Sequence, residues 1–592
     1  MVETASIATA ADLESLIAHG KKQAQHGQWE EALRTYDSAQ KYFTGPADER
    51  RAVASRGIAY ANRCLGRYDD ALQTLEELLS SLAPEDRLRL NIYGDIGILH
   101  RLMSHLEGAG DAFQKQHDLA TRLDAEQQIC RSVGNLGVVS YQLWQCSGEE
   151  TLLTTATCQL EERVSRARAL KDVYRGDISK HGKIDYASTL EAVGLARLSL
   201  CLSARGDQAS AVTTAQASCY LTKEIQDPSV EAISRFFYGL ALRRQGQITE
   251  ALHQFNLPRS CSPAVAFCKE PSKENHEFLQ ELLEAGANME TPDNHGYLAL
   301  DYAVYNKDEK SQEIVLESIR RRLLQVNHSN VETELAQKLQ EARLRKVYRE
   351  IFQERMRPTL LAGKDDAVHQ VRLTYAEALK TTDHASGAFD GFKFVKYADF
   401  VAFGRFPRSN DGLTQQFSPT TAPTTRQHVV FISYRWVNPD LWARYPDDNE
   451  SKQYQNTIQA LDAYLQENSS IDAEGLGIWI DYACINQDDK MPGIAALPMA
   501  IAQCDALISL VDDQYHDRAW CSVEVMLIHA LRTSYGLQRW YEHTAQGDTG
   551  GSQSRLRPGP ELMDINPETK KLREPSDMAR VLFLQRQCRL LC

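Results

Sequence analysis

The sequence lacks several features that would place it in a specialised class of protein. No uninterrupted apolar run reaches the ~18 residues that a membrane-spanning helix needs, and the start MVETASIATAADLESL does not resemble a secretory signal. The 13 cysteines form no CxxC pair and no Cys/His zinc spacing. We therefore expect a cytoplasmic protein with free thiols, without a metal site and without a membrane span.

Basic residues are fewer than acidic residues. Lys and Arg number 66 against 80 Asp and Glu, which gives a net charge of −14 and argues against a dedicated binder of nucleic acid or anionic membrane. The chain has 592 residues, of which 43% are apolar and 25% charged, and this is too long for one hydrophobic core. We expect a soluble protein of several domains with no permanently bound cofactor.

The N-terminal half of the sequence repeats itself. Gly57, Gly97 and Gly137 are spaced by 40 residues, and small residues at fixed points let paired helices approach closely. The pattern over residues 12–257 resembles tetratricopeptide repeats of long period, with an irregular patch near 147–185. The resemblance implies an all-α repeat solenoid whose groove binds a protein or peptide partner.

Three further segments follow the repeats. The run LLEAGANMETPDNHGYLALDYA, within residues 272–320, resembles one ankyrin repeat. Because a lone repeat cannot bury its own face, we interpret it as a cap on the array. Residues 321–406 are interpreted as a helical connector, and residues 407–427, with Ser, Thr, Pro and Gly throughout, indicate a flexible linker.

Residues 428–592 alternate predicted strands and helices. Apolar runs at 429–433, 477–481 and 506–511 have strand character, and polar residues stand where each run ends. Alternation with helices predicts parallel pairing of these strands. The carboxyl ends of parallel strands commonly form a ligand crevice, so the polar residues there are the candidate site.

The order of motifs in this domain is similar to that of TIR domains. VFISYRW at 430–436, ALISLVDDQY at 506–515 and WCSVE at 520–524 correspond to segments of that family. WIDYACINQDD at 479–489 also resembles the fungal heterokaryon-incompatibility (HET) domain. The resemblance implies an α/β, flavodoxin-like sheet in a TIR-like domain with HET-like features. It also implies an intracellular receptor of the signalling, innate-immunity or incompatibility type.

The TIR resemblance implies a set of site residues. Some TIR domains cleave NAD at the nicotinamide–ribose bond with a Glu, and the matching position here is Glu524; a fixed carboxylate stabilises the oxocarbenium-like transition state. Trp520 lies one helical turn from Glu524 and would stack on a flat ring. Ser433 and Arg435 would meet the ribose or phosphates of NAD, the substrate. Asp481 completes the NAD-binding set.

A non-catalytic alternative stays open at this point. Trp520 also suits a hydrophobic core and Glu524 a helix surface. The domain would then be an adaptor that self-associates through the loop at 486–493. A regulatory protein of a fungal pathway is one role that such an adaptor would have. Convergence of Glu524, Trp520 and Ser433 on one open pocket would favour the enzyme, whereas a Glu524 that points away from the carboxyl ends of the strands would favour the adaptor.

Overall fold

The computed structural model divides the chain into two compact units, Met1–Ala342 and Arg343–Cys592. The division falls within one helix, Val331–Tyr348. The structure describes residues 10–25, 29–42, 49–175, 181–223, 225, 227–364, 366–381, 385–417, 427–438, 445–544, 555–561 and 565–591.

The N-terminal unit begins with helices that pack in consecutive pairs. The pairs are α1 (Ala10–Gln25) with α2 (Trp29–Gln40), α3 (Glu49–Cys64) with α4 (Tyr68–Ser80), α5 (Leu88–Leu102) with α6 (Leu106–Arg122), α7 (Glu126–Ser147) with α8 (Glu150–Tyr174), α9 (His181–Ala204) with α10 (Gln208–Leu221), and α11 (Pro228–Arg244) with α12 (Ile248–Asn256). This is a helical-hairpin array of the tetratricopeptide type, as the repeats predict.

Glycines set the spacing of these helices. A Cβ added at Gly57 would lie 2.5 Å from the ring of Tyr36, and one added at Gly97 would lie 2.5 Å from the ring of Phe113. Such distances are too short for any real side chain, so the close approach requires glycine. In the described part of the predicted irregular patch near 147–185, α8 and α9 form long helices of 25 and 24 residues; the departure from the repeat pattern there stays a prediction.

Four more helices follow in the N-terminal unit, ahead of the helix Val331–Tyr348 that crosses its boundary. They are α13 (Pro263–Lys269), α14 (Lys273–Glu284), α15 (Ala299–Tyr305) and α16 (Glu309–Gln325). One hydrophobic cluster runs without interruption from the later hairpins into them, and includes Phe236, Phe267 and Phe278. The segment at 272–320 therefore shares its core with the array. Its assignment as an ankyrin repeat stays a prediction.

The C-terminal unit is built around a seven-stranded mixed sheet of order β2-β1-β4-β3-β5-β6-β7. The strands are β1 (Lys393–Lys396), β2 (Thr414–Gln416), β3 (His428–Ser433), β4 (Leu476–Trp479), β5 (Ala506–Val511), β6 (Arg539–Thr544) and β7 (Arg555–Pro558). Strands β3 to β6 pair in parallel, whereas β1, β2 and β7 pair antiparallel with their neighbours. Within the parallel part the order is β4-β3-β5-β6, so the chain leaves β3 first to one side and then to the other. The assignment to the flavodoxin-like TIR fold stays a prediction.

Helices flank these strands throughout the unit. They are α17 (Val331–Tyr348), continued by a π-helical segment (Arg349–Met356), α18 (Arg357–Leu361), α19 (Ala367–Thr381), α20 (Ala385–Ala388), α21 (Tyr397–Phe403), α22 (Lys452–Glu467), α23 (Asp481–Cys484), α24 (Met491–Ala495), α25 (Leu497–Ala502), α26 (Ala519–Tyr535) and α27 (Met578–Cys588).

The predicted domain start at residue 428 differs from the structure. β1 borders β4 and pairs with β2, so parts of the expected connector 321–406 and linker 407–427 belong to the sheet. Residues 418–426 of that linker lie outside the described residues. On α19, Arg372 is 1% exposed and donates to the carbonyl oxygens of Gln427 and Gln503 at 2.6 and 2.8 Å and to Asp505 at 2.6 Å. Because a buried guanidinium needs all of these acceptors, α19 is part of this unit as well.

Candidate active site in the C-terminal unit

A cavity of about 260 Å³ opens where the parallel strands end. Residues that directly follow β3 and β4 line it, together with the first turns of α26 and the segment before α27. The lining residues are Tyr434, Arg435, Trp436, Asp481, Ile485, Gln487, Lys490, Ile494, Leu497, Arg518, Trp520, Cys521, Glu524, Lys571, Arg573, Glu574, Asp577 and Arg580. The cavity thus lies at the carboxyl ends of the strands, where the order of β3, β4 and β5 predicts a ligand crevice.

Glu524 is the carboxyl group at the centre of the site. It lies on α26 and lines the cavity, and its Oε2 accepts a hydrogen bond of 2.5 Å from the Ser433 hydroxyl. Burial raises the pKa of Glu524 to about 8, the Ser433 hydrogen bond opposes that rise, and the charge of Asp481 adds to it. A carboxyl that sits near its titration point at neutral pH is unusual, and such groups cluster at functional sites.

A chain of hydroxyl groups runs from Glu524 into the core. Ser433 is hydrogen-bonded to the hydroxyl of Tyr515, and that hydroxyl is 3.0 Å from Ser509 Oγ. The Trp540 indole N–H donates to Ser509 at 3.1 Å. Each hydroxyl has one proton and two lone pairs, so each can donate one hydrogen bond while it accepts another.

Asp481 is the second carboxyl group of the cavity. Its Oδ1 accepts hydrogen bonds from the Tyr434 hydroxyl at 2.7 Å and from the backbone N–H of Tyr482 at 2.6 Å, and its Oδ2 accepts one from the Trp436 indole at 3.4 Å. Burial raises the pKa of Asp481, and these donors partly offset the rise. Asp481 and Glu524 thus disfavour each other's negative charge.

Aromatic and cationic side chains make the wall of the cavity. Trp520 is half-buried, lines the cavity and is anchored through its indole N–H, which donates to Asp577 at 3.2 Å. Trp436 carries two cations over its ring, Lys490 at 5.8 Å and Arg573 at 5.5 Å from the centroid. Indole faces of this kind suit a flat or positively charged ligand ring.

Two of the predicted ligand contacts differ in their surroundings from the expectation. Ser433 is completely buried and bonded to Glu524 and Tyr515, so it holds the carboxyl and does not reach a ribose or phosphate itself. Arg435 lines the cavity, but its Nε donates to Asp512 at 2.6 Å. A phosphate at Arg435 would therefore share the guanidinium with a carboxylate, which leaves its other N–H groups for a ligand.

The sequence interpretation missed part of the site. Lys571 and Arg573 line the cavity from the segment that leads into α27, and Arg580 lines it from α27 itself. Tyr515 and Ser509 belong to the hydroxyl chain. Only the ALISLVDDQY motif gave a signal for the last two. The three basic residues stand in or after a stretch that reads as a Gly-, Ser- and Pro-rich loop, and no spacing in the sequence connects them to Glu524.

No protein-family model matches this chain, and no curated protein matches it. Among solved structures, it is similar to the apo form of RapI, with 14% identity over 53% of this chain and 99% of that chain and a TM-score of 0.34. A Rap protein complexed with Competence and Sporulation Factor has 13% identity over 64% and 95%, with a TM-score of 0.34. NprR in complex with its cognate peptide NprX has 10% identity over 55% and 88%, with a TM-score of 0.21. These identities and TM-scores are too low to identify a family.

Within the described residues, no helix is both long and apolar enough to cross a bilayer. The same residues contain no cluster of three or more His, Cys, Asp or Glu side chains arranged to hold a metal ion.

Proposed function

We propose that the C-terminal unit is a TIR-like enzyme with HET-like features that hydrolyses NAD⁺ at the nicotinamide–ribose bond. The observation that carries the proposal is the Glu524 carboxyl, placed in a cavity at the strand ends with its pKa raised to about 8. Glu524, Trp520 and the Ser433 support converge on one site, and this convergence favours an enzyme over a non-catalytic adaptor.

The raised pKa of Glu524 suits a substrate that brings a positively charged ring next to this carboxyl. Burial and Asp481 together make a negative charge on Glu524 costly in the empty cavity. The pyridinium ring of NAD⁺ carries a positive charge, which stabilises the carboxylate of Glu524 when it enters. Trp520 supplies an indole face for that ring, whereas Lys490 and Arg573 already lie over the Trp436 ring. Binding would therefore convert Glu524 into the charged form that the reaction needs.

The reaction then follows from the position of that carboxylate. The C1′–N bond breaks and its electron pair leaves on the ring nitrogen, so neutral nicotinamide departs. The positive charge that develops on the ribose is stabilised by the carboxylate of Glu524. Water adds to C1′, and its proton is taken up by Glu524 and released to solvent. The products are nicotinamide, ADP-ribose and one proton.

The volume of the cavity and its cationic side chains support the binding of the rest of the dinucleotide at the rim. Typical ligand pockets measure roughly 300–1,000 Å³, so a cavity of about 260 Å³ holds one nucleoside-sized part of NAD⁺. Six cationic side chains line it against four acidic ones, of which Asp481 and Glu524 have raised pKa values. A pyrophosphate would lie along these cations, which are Arg435, Lys490, Arg518, Lys571, Arg573 and Arg580.

The repeat unit would supply partner binding. A tetratricopeptide-type array presents an extended surface to a protein or peptide, and we propose that this surface recruits the partner while TIR-like units self-associate. The whole chain would then act as a signalling or incompatibility-type receptor in the cytoplasm. The alternative role is a scaffold that binds and self-associates without cleaving NAD⁺.

Nicotinamide release from full-length protein tests the proposed activity. Wild type, Glu524→Gln and the control Glu467→Gln are incubated at high protein concentration with NAD⁺, and nicotinamide is measured by chromatography. Glu467 is an exposed residue at the end of α22, so its substitution should leave the rate unchanged. We expect Glu524→Gln to lose at least about a hundredfold, the scale of one electrostatic group in a dry site. Equal rates for wild type and Glu524→Gln, or no release from any protein, would favour the scaffold.

A further inference from the structure

The N-terminal unit contains a set of arginines that are already occupied by carboxylates of the same chain. Arg63, Arg101, Arg197 and Arg243 come from α3, α5, α9 and α11, the first helix of four different hairpins; we call their surface the arginine face. It contacts the segment that precedes α14 and α14 itself. This places an element of the chain on the surface that a repeat array usually offers to partners.

The carboxylates form a matching set, the acidic stripe, which consists of Glu270, Glu274 and Glu281. Arg63 donates twice to Glu270, at 2.7 and 3.0 Å. Arg243 pairs with Glu281. Glu274 and Glu281 are seven residues apart in one helix and therefore lie on the same face. The chain thus presents its negative charges at the spacing that the arginines require.

Glu274 is the most strongly held member of the acidic stripe. It receives Arg101 at 2.8 Å and both terminal nitrogens of Arg197, at 2.5 and 3.0 Å, and it is buried. These two guanidinium groups hold the pKa of Glu274 below its ordinary value, against the opposing effect of burial. Removal of that carboxylate leaves the two partly buried cations without this acidic partner. A ligand that displaced it would have to bring a carboxylate of its own.

Half of this contact joins two different hydrophobic clusters. α14 shares its core with α9 and α11, which carry Arg197 and Arg243, whereas α3, α4 and α5, which include the helices of Arg63 and Arg101, pack in a separate cluster. Charged and polar atoms join α3 to α5 to the segment before α14, including the Tyr68 hydroxyl, which donates to the Pro271 carbonyl oxygen at 2.8 Å. Such contacts exchange with water or ligand more readily than a packed core does.

We propose that the acidic stripe is an in-chain occupant of the arginine face, and that an acidic segment of a partner gains the α3 and α5 part of this face, Arg63 and Arg101, by replacing Glu270 and Glu274 there. The proposal rests on the partner-binding role proposed above for the repeats, and it adds the chemistry of the partner: an acidic segment with carboxylates spaced by about one helical turn. Partners without such carboxylates would leave the arginine face closed.

A labelled peptide of residues 270–285 tests the exchange on full-length protein. Its binding is measured by fluorescence anisotropy to wild type, to the triple variant Glu270→Gln, Glu274→Gln, Glu281→Gln, and to the control Glu277→Gln on the exposed side of α14. We expect the triple variant to bind the peptide at least about tenfold more tightly than wild type and the control do. A peptide with Gln at the three positions should lose this binding. Equal affinity for wild type and triple variant, or for both peptides, would overturn the proposal.

A second measurement keeps the proposal testable where the triple variant fails to fold. Arg63 and Glu270 form a partly exposed pair, so their charges are reversible without disturbing Glu274. Arg63→Glu and Glu270→Arg should each speed hydrogen exchange in α3 and α4, and the double variant should restore slow exchange. Additive effects of the two changes would refute the contact. None of these measurements depends on NAD⁺ cleavage, so their outcome is separate from that of the nicotinamide assay.

Discussion

The raised pKa of Glu524 makes the stability of the C-terminal unit depend on pH. The carboxyl has a pKa of 4.5 as a free group and about 8 in the folded protein. Between these values the folded state keeps a proton that the unfolded state has released. The free energy of unfolding is therefore highest below pH ~4.5 as far as this group is concerned, and it falls as pH rises towards ~8. Glutamine at this position has no charge to bury, so Glu524→Gln should remove the loss.

The size of this effect follows from the difference between the two pKa values. A difference of about 3.5 at ~1.36 kcal/mol for each pKa unit gives an upper limit of ~5 kcal/mol above pH 8. Glu524 borders the open cavity and is partly exposed, so solvent screening should reduce the loss to ~2 kcal/mol. For a unit of roughly 250 residues this corresponds to ~4–8 °C in Tm.

Calorimetry of full-length protein between pH 4 and 9 measures the predicted loss. We expect the Tm of the C-terminal transition to be similar for wild type and Glu524→Gln near pH 4, and higher by ~4–8 °C for Glu524→Gln at pH 8.5. The control Glu467→Gln should follow wild type at every pH. A difference between Glu524→Gln and wild type that stays constant across this range would refute the argument that burial and Asp481 raise this pKa.

Further predictions concern the same unit. Asp481→Asn should move the midpoint of the pH-dependent loss of Tm to lower pH, because the charge of Asp481 raises the pKa of Glu524. Ser433→Ala should move that midpoint to higher pH, because the Ser433 hydrogen bond lowers the pKa of Glu524; midpoints that shift in the same direction would contradict one of the two assignments. A protein of residues 428–592 should be insoluble or unfold without cooperativity, because it lacks β1, β2 and α19. A protein of residues 343–592 should unfold cooperatively in calorimetry, and equal behaviour of the two would show that the earlier elements are dispensable.

The repeat architecture could be predicted because its signals are local. Each glycine that marks a helix contact faces a large side chain from a helix close by in the sequence, as Gly97 faces Phe113. Interactions of that kind recur at a fixed period, and one sequence displays them several times. The pairing of the arginine face with the acidic stripe could not be predicted in this way, because Arg63 and Glu270 are 207 residues apart in the sequence. No period relates the two residues.

The residues of the candidate site were likewise predictable from the sequence only in part. Parallel strands that end in polar residues place those residues at one edge of a sheet, so Asp481 and Arg435 could be predicted to share a crevice. Glu524 lies on a helix and was assigned to that crevice only by the resemblance to TIR domains. Ser433 was predicted at this edge too, but a strand end does not specify whether a side chain faces ligand or core. The structure buries Ser433 beneath Glu524.

The sequence by itself determined the repeat array, the α/β alternation and the residue types at the strand ends, because these depend on period and on neighbours along the chain. Only the tertiary structure decided that β1 and β2 extend the sheet, that Tyr515 and Ser509 support Glu524, and that α14 fills the arginine face. Burial and charge pairing across long stretches of chain produce these features. They arise only after the local elements have formed and packed, and this is why the pKa of Glu524 is a property of the fold.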